Sequence, residues 1–227
     1  VKAMILAAGR GERMKPLTDT CPKPLLKVAG VPLIEHHLRN LKQAGITDIV
    51  INHAWLGEQI EQYFGDGKKF GVNIVYSAEG DGALETAGGI VKALPLLGDE
   101  PFVLVNGDIY CDFNFAQLPK LQSFELAHLI LVKNPEHNLA GDFGFNGKTL
   151  TFDSKLAQAN EKFTYSGLGV YHPKLFAGLA IEKAPLAPIL IKAMEQGSIS
   201  GTRYSGVWSD IGTPQRLEQI NKQLTET

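Results

Sequence analysis

Several common protein classes are ruled out by what this chain lacks. No apolar run approaches the roughly 18 residues of a bilayer-crossing helix, so no membrane-spanning segment is expected. Only two cysteines occur in 227 residues, Cys21 and Cys111, and they form no Cys-x-x-Cys pair. That suits free thiols in a reducing compartment. There is no basic excess: the net charge of −2 argues against a general nucleic-acid binder, though not against a local basic pocket for one nucleotide. The six histidines show no His-Glu-x-x-His or other metal-binding spacing. No Gly-x-Ser-x-Gly elbow is present, so an esterase has no foothold. Linkers, repeats and low-complexity segments are missing too. The first residues read as a strand with one lysine, not as a signal peptide, and a cytoplasmic location is expected.

What is present is an ordinary globular composition, 44% hydrophobic and 20% charged. A chain of this length can bury a large core without disulfides. Lys2 to Leu6 is an apolar run ending near glycine, a buried-strand signal. Pro32 opens a helix whose Leu33, Ile34, His37, Leu38 and Leu41 share a face, with Gly45 at its end. Asp48 to Ile51 and Val72 to Tyr76 read as strands, and Leu56 to Phe64 and Leu84 to Leu94 as helices. Pro101 to Val105 is a fourth strand, running into Asn106-Gly107-Asp108. This alternation predicts an α/β fold: a mostly parallel central sheet with helices on both faces. Residues 109–227 change character. Leu126 to Val132 and Gly167 to His172 read as strands, and Asp142 to Phe145 and Thr149 to Phe152 flank the hairpin signal Asn146-Gly147. Leu186 to Met194 is helical, Gly201 to Tyr204 and Val207 to Trp208 are short strands, and Thr213-Pro214 opens a last helix. One domain over 1–227 is expected, with a nucleotide-binding half at about 1–108 and a second lobe completing the site. No coiled-coil seam or apolar interface is legible, so a monomer is expected.

The stretch from Met4 to Leu26 carries the densest chemistry. A strand runs into Ala7-Ala8-Gly9-Arg10-Gly11, and the following loop carries Arg13, Lys15 and Lys23. Small residues let backbone N–H groups approach an anion, and cations neutralise it. Ligands of open α/β sheets sit at the carboxyl ends of the strands. This loop and Asn106-Gly107-Asp108 share that edge. A Walker A loop fails, because Gly147-Lys148-Thr149 is preceded by Asp142 where the first glycine belongs. The dinucleotide fingerprint fails at Met14. Lys15 reads as a solvated charge, and Cys21 as a bystander.

The motifs that hold are Leu6-Ala7-Ala8-Gly9-x-Gly11-x-Arg13 and Pro22-Lys23-Pro24-Leu25. With them come Leu84-Glu85-Thr86-Ala87-Gly88, Gly107-Asp108, Glu161-Lys162-Phe163 and Trp208-Ser209-Asp210-Ile211-Gly212-Thr213. In this order they resemble the sugar-phosphate nucleotidyltransferases. The resemblance implies a Rossmann-like sheet with a smaller mixed sugar-binding lobe. It implies transfer of a nucleotidyl group from a nucleoside triphosphate to a sugar 1-phosphate, with pyrophosphate leaving and Mg²⁺ as cofactor.

By that resemblance, Arg13 holds the pyrophosphate end and Lys23 bridges phosphates at the reacting phosphorus, as the catalytic pair. Ala8, Gly9, Gly11, Glu12, Glu79 and Gly88 join them in nucleotide binding. Glu79 accepts from uracil N3–H or from guanine N–H groups, unless it is a solvated loop residue. Asp108 and Asp210 hold the metal. Asn106, Gly141, Asp142 and Glu161 meet the sugar, and Phe163 departs from the family's proline. Small size and the phrases Ile51 to Gly57 and Gly141-Asp142-Phe143 resemble a single-domain branch of bacterial cell-wall recycling. This implies UTP and N-acetylmuramic acid α-1-phosphate as substrates. A guanylyltransferase for mannose or heptose 1-phosphate, a phosphocholine cytidylyltransferase and a non-catalytic nucleotide-sugar sensor are the alternatives.

Overall fold

The computed structural model describes residues 1–153 and 161–227. Strand β1 (Lys2–Ala7) is apolar on both faces, with Ala3, Ile5 and Ala7 entering one core and Met4 the other. A strand buried on both sides belongs inside a covered parallel sheet. A small hairpin, β2 (Lys27–Val28) and β3 (Val31–Pro32), leads into α1 (Leu33–Gln43). Then follow β4 (Asp48–His53), α2 (Gly57–Phe64), β5 (Asn73–Ala78), α3 (Glu85–Leu97) and β6 (Phe102–Asn106). The second half supplies β7 (Ile109–Cys111), β8 (Ala127–Val132), β9 (Phe143–Phe145), β10 (Leu150–Thr151) and β11 (Lys162–Tyr171). It ends with α4 (Ala187–Glu195), β12 (Ile199–Arg203), β13 (Trp208–Asp210) and α5 (Pro214–Thr225).

Strands β5, β4, β1 and β6 run parallel, as the alternation predicts. β11 pairs antiparallel with β6 and so joins the second half to the same sheet. β8 and β9 pair antiparallel with β11, β12 lies parallel to β8, and β10 closes the hairpin with β9. One core packs α1 and α2 on one face through Ile34, Leu38, Leu41, Ile60 and Phe64. The other packs α3 and α4 through Ala87, Ile90, Leu190 and Met194. A third cluster, Met14, Leu26, Val28, Leu33, Ile211 and Ile220, ties the glycine-rich loop to α5. Each such side chain contributes about 1.5–3 kcal/mol on full burial, enough to hold the loop in one place.

Sequence expectations and structure differ in several places, the β2–β3 hairpin and β7 among them. The loop from Ala8 to Leu26 contains short 3₁₀ turns at Glu12–Met14, Leu17–Asp19 and Lys23–Leu25. In the last of these Pro24 stands in the first turn, where its fixed φ suits a helical start. Helix α3 runs on to Leu97 with Pro95 inside it. β11 starts at Lys162, ahead of the expected Gly167, because Phe163 is buried and stacks edge-on against Phe145. Among the described residues, no helix is long and apolar enough to cross a membrane.

Candidate active site

The parallel strands place their carboxyl ends along one edge. The chain goes from β1 to β4 on one side and reaches β6 on the other, so the edge above β1 and β6 is a topological switch point, where such sheets bind ligands. A cleft of about 300 Å³ opens there, lined by Ala8, Gly9, Gly11, Lys23, Asn52, Thr86 and Asp108 among others. A second cleft of about 700 Å³ adjoins it, lined by Gly141, Asp142, Phe143, Tyr165 and the start of α4.

The glycine-rich loop is folded around Thr18. Its hydroxyl donates to the Gly11 carbonyl at 2.7 Å, and Gly11 has φ +71°. A Cβ at Gly11 would lie 2.8 Å from the Thr18 methyl, so only glycine fits there. Arg10 donates to the Thr18 carbonyl, pairs with Asp19 at 3.1 Å and lies over the Trp55 ring at 3.9 Å. Trp55 Nε1 donates to the same carbonyl at 2.8 Å. Arg10 and Trp55 are therefore fasteners. Arg13 is exposed and has no hydrogen-bond or ion-pair partner among the described residues. It faces a third recess, shared with His137, Asp210 and Arg216. Glu12 is exposed and bonded to Lys15 at 2.7 Å, which holds its carboxyl below the ordinary value.

Lys23 is 8% exposed, and its Nζ lies 2.9 Å from Asp108 Oδ2. Asp108 follows β6, and no protein donor reaches its Oδ1 among the described residues. The chain ends meet through β7 and β13: Asp210 lies opposite Ile109, and the Ile211 N–H donates to the Asp108 carbonyl at 2.8 Å. Asp210 is held by Arg216 on Oδ1 at 2.7 Å and by His137 on Oδ2 at 2.9 Å. The fold thus brings the two aspartates, 102 residues apart, to neighbouring backbone positions, Asp210 on β13 and Asp108 in the turn just before its partner strand β7. Burial pushes the Cys111 thiol up to about 11 and raises that of Cys21, so neither is a nucleophile at neutral pH.

The remaining expected residues sit as follows. Glu79 is engaged on both oxygens: Asn52 Nδ2 donates to Oε1 at 2.7 Å and the Leu84 N–H to Oε2 at 2.9 Å. Gly88 lies in α3, packed so closely on the Glu182 carbonyl that no Cβ fits, and Thr86 lines the first cleft. Asn106 lines both clefts. Gly141 has φ +69° and lies against Asn134. Asp142 accepts from the Tyr165 N–H at 2.8 Å and from Asn138 at 3.0 Å. Glu161 is exposed, and its carbonyl accepts from the Phe145 N–H.

Sequence reasoning missed Asn52, which is 2% exposed and accepts the Ala7 N–H at 2.8 Å while holding Glu79. The signal was one polar residue ending an otherwise apolar strand. It missed His137 and Arg216 as well, since nothing local links either to Asp210.

Comparison with known proteins shows the family. The family model for nucleotidyl transferases matches residues 2–227. N-acetylmuramate α-1-phosphate uridylyltransferase of Neisseria meningitidis serogroup B is 54% identical, over 96% of each chain. UTP–glucose-1-phosphate uridylyltransferase of a Synechocystis species is 38% identical over 75% of this chain and 48% of its own. A Bacillus anthracis structure assigned as a glucose-1-phosphate thymidylyltransferase superposes with a TM-score of 0.82 at 24% identity, over 100% of this chain and 96% of its own, and shares the fold. With a family match along nearly all its length, the chain belongs to the nucleotidyl transferase family.

Proposed function

We propose that the protein transfers the uridylyl group of UTP to N-acetylmuramic acid α-1-phosphate, giving UDP-N-acetylmuramic acid and pyrophosphate. One observation carries the reaction: the buried cation Lys23 sits against Asp108 at the cleft where the triphosphate and a second phosphate would meet. The similarity to the meningococcal uridylyltransferase supports the choice of base and sugar. The site residues named above, in a single domain acting as a monomer, belong to the same proposal.

The nucleophile, a phosphate oxygen of the sugar 1-phosphate, is already an anion, so no general base is needed. The barrier lies in bringing two anions together and in the charge that develops on the leaving group. Positioning and fixed cations lower it. Ala8, Gly9 and Gly11 would present backbone N–H groups to the triphosphate. The unpaired Arg13 would take the leaving pyrophosphate, since its planar fork matches phosphate oxygens. Lys23 would neutralise charge at the α-phosphate. The second cleft would take the sugar.

The residues fit a divalent cation by their chemistry. Asp108 and Asp210 are hard donors, one in the turn before β7 and the other on its partner β13; Asp108 keeps one oxygen free of protein donors among the described residues, while Asp210 would have to give up Arg216 or His137. Among the described residues no cluster of three or more His, Cys, Asp or Glu forms a closed cage. Mg²⁺ is commonly held by one or two carboxylates plus substrate phosphates, so a cage is not required. When bound, Mg²⁺ supplies charge neutralisation on the phosphate oxygens.

The test measures pyrophosphate release with Mg²⁺, each of UTP, GTP, CTP and dTTP, and a panel of sugar 1-phosphates. Release is expected with UTP and N-acetylmuramic acid α-1-phosphate. Release only with GTP and mannose 1-phosphate, or with no pair at all, would overturn the reading.

A further inference from the structure

Glu85, at the start of α3, has φ +57°. Left-handed backbone costs a residue with a Cβ about 1–2 kcal/mol, and glycine adopts it freely. Such strain persists where the surroundings over-determine the backbone. Here they do. The Leu84 N–H is held by Glu79, the Leu84 carbonyl accepts from the Ala184 N–H at 3.0 Å, and the Ala87 N–H donates back to the Ala184 carbonyl at 3.0 Å. The backbone is gripped at Leu84 and again at Ala87, with Glu85 between them, and a side chain stands where glycine would cost less.

Nothing among the described residues uses that side chain well. Its ion-pair partner is Lys183 at 3.8 Å, with the two side chains 44% and 69% exposed, and such pairs stabilise little. The position is informative: Glu85, Thr86 and Asn106 are the three residues that line both clefts. Two other carboxylates near this junction are consumed by the fold, Glu79 by Asn52 and Leu84, and Asp142 by Asn138 and Tyr165. Glu85 alone of these three accepts no hydrogen bond from the described residues.

We infer that Glu85 is a specificity-determining residue, whose carboxylate accepts a hydrogen bond from a ring hydroxyl or acetamido N–H of the sugar 1-phosphate as the substrate spans the two clefts. This rests on the proposed sugar-phosphate transfer. It adds to the proposed sugar contacts a carboxylate that lines both clefts and has acceptor capacity to spare.

The experiment compares wild type, Glu85→Gly and Glu85→Gln for melting temperature and for separate KM values towards UTP and the best sugar 1-phosphate of the panel. Glu85→Gly should melt at the wild-type temperature or higher, because it relieves the backbone. It should raise KM for the sugar 1-phosphate about tenfold or more, the loss expected for a hydrogen bond to a charged group, and leave KM for UTP within about twofold. Glu85→Gln keeps an acceptor oxygen and should lose less. Unchanged sugar KM in both variants, with an active wild type, overturns the inference and leaves the proposed function standing. A melting temperature lowered by more than about 5 °C in Glu85→Gly, with sugar KM unchanged, makes Glu85 a structural residue and also overturns it. A wild type inactive with every sugar 1-phosphate overturns both.

Discussion

The Nζ of Lys23 lies 2.9 Å from Oδ2 of Asp108, joining the glycine-rich loop after β1 to the loop after β6. The lysine is 10% exposed at its side chain and the aspartate 41%. One member is thus withdrawn from water while the other faces the cleft. That asymmetry suits a fixed cation whose partner can exchange it for other ligands.

Replacing Lys23 by Ala should lower kcat by about two to three orders of magnitude, the scale of losing one preorganised charge-stabilising group. Stability should change by about 1 kcal/mol, because the stranded Asp108 can turn to water. Steady-state kinetics and urea denaturation check the two halves. A variant with near wild-type kcat contradicts the catalytic role.

Chelation by EDTA should remove activity, and added Mg²⁺ should restore it. Asp108→Asn should abolish turnover with an unchanged circular dichroism spectrum. Asp210→Asn should raise the Mg²⁺ concentration for half-maximal rate about tenfold, since it leaves one carboxylate. Activity that is indifferent to chelation would remove the metal from the account.

Asn52→Ala should destabilise the fold by about 2 kcal/mol, because it strands the Ala7 N–H and one oxygen of Glu79 in a site where Asn52 is 2% exposed. The start of α3 should loosen with it, through the Glu79 bond to the Leu84 N–H. Urea unfolding gives the first effect and amide hydrogen exchange at Leu84 the second. A stability loss without faster exchange at Leu84 breaks the proposed link.

His37 predicts an acid limit. It is fully buried on α1, and burial lowers its pKa from 6.5 to about 4. His36 lowers it further, while the backbone at Ile109, the Asp108 charge and the backbone at Asn106 raise it. The folded pKa lies below the unfolded one, so the unfolded chain binds the extra proton first as pH falls. Stability is full above about 6.5 and declines as pH drops towards 4, by about 3 kcal/mol at 1.36 kcal/mol per unit. His37→Leu should flatten that decline in chemical denaturation at pH 7 and pH 4.5. An equal slope in the variant assigns the acid sensitivity elsewhere.

Much of the fold was legible because its strands are buried on both faces. Met4 and Ile5 in β1, or Phe102 and Val103 in β6, leave no polar face to confuse the period. Lys23, Asp108 and Asp210 were legible as motif residues, and the fold supplied what motifs cannot, the β7–β13 pairing that brings the aspartates together. Glu79 and Asp142 show the limit. A carboxylate suits a ligand hydroxyl and a buried backbone N–H equally, and only coordinates show that both clamp the chain. The strain at Glu85 was equally hidden, since φ depends on what grips the neighbouring peptides.

The central claim is that a phosphate oxygen of the sugar 1-phosphate attacks the α-phosphate of UTP. It is tested by supplying N-acetylmuramic acid α-1-phosphate with ¹⁸O in its terminal phosphate oxygens, with UTP and Mg²⁺, and weighing both products by mass spectrometry. The account predicts that all label appears in the UDP-sugar and none in pyrophosphate. Label in pyrophosphate, or no labelled UDP-sugar, would contradict it.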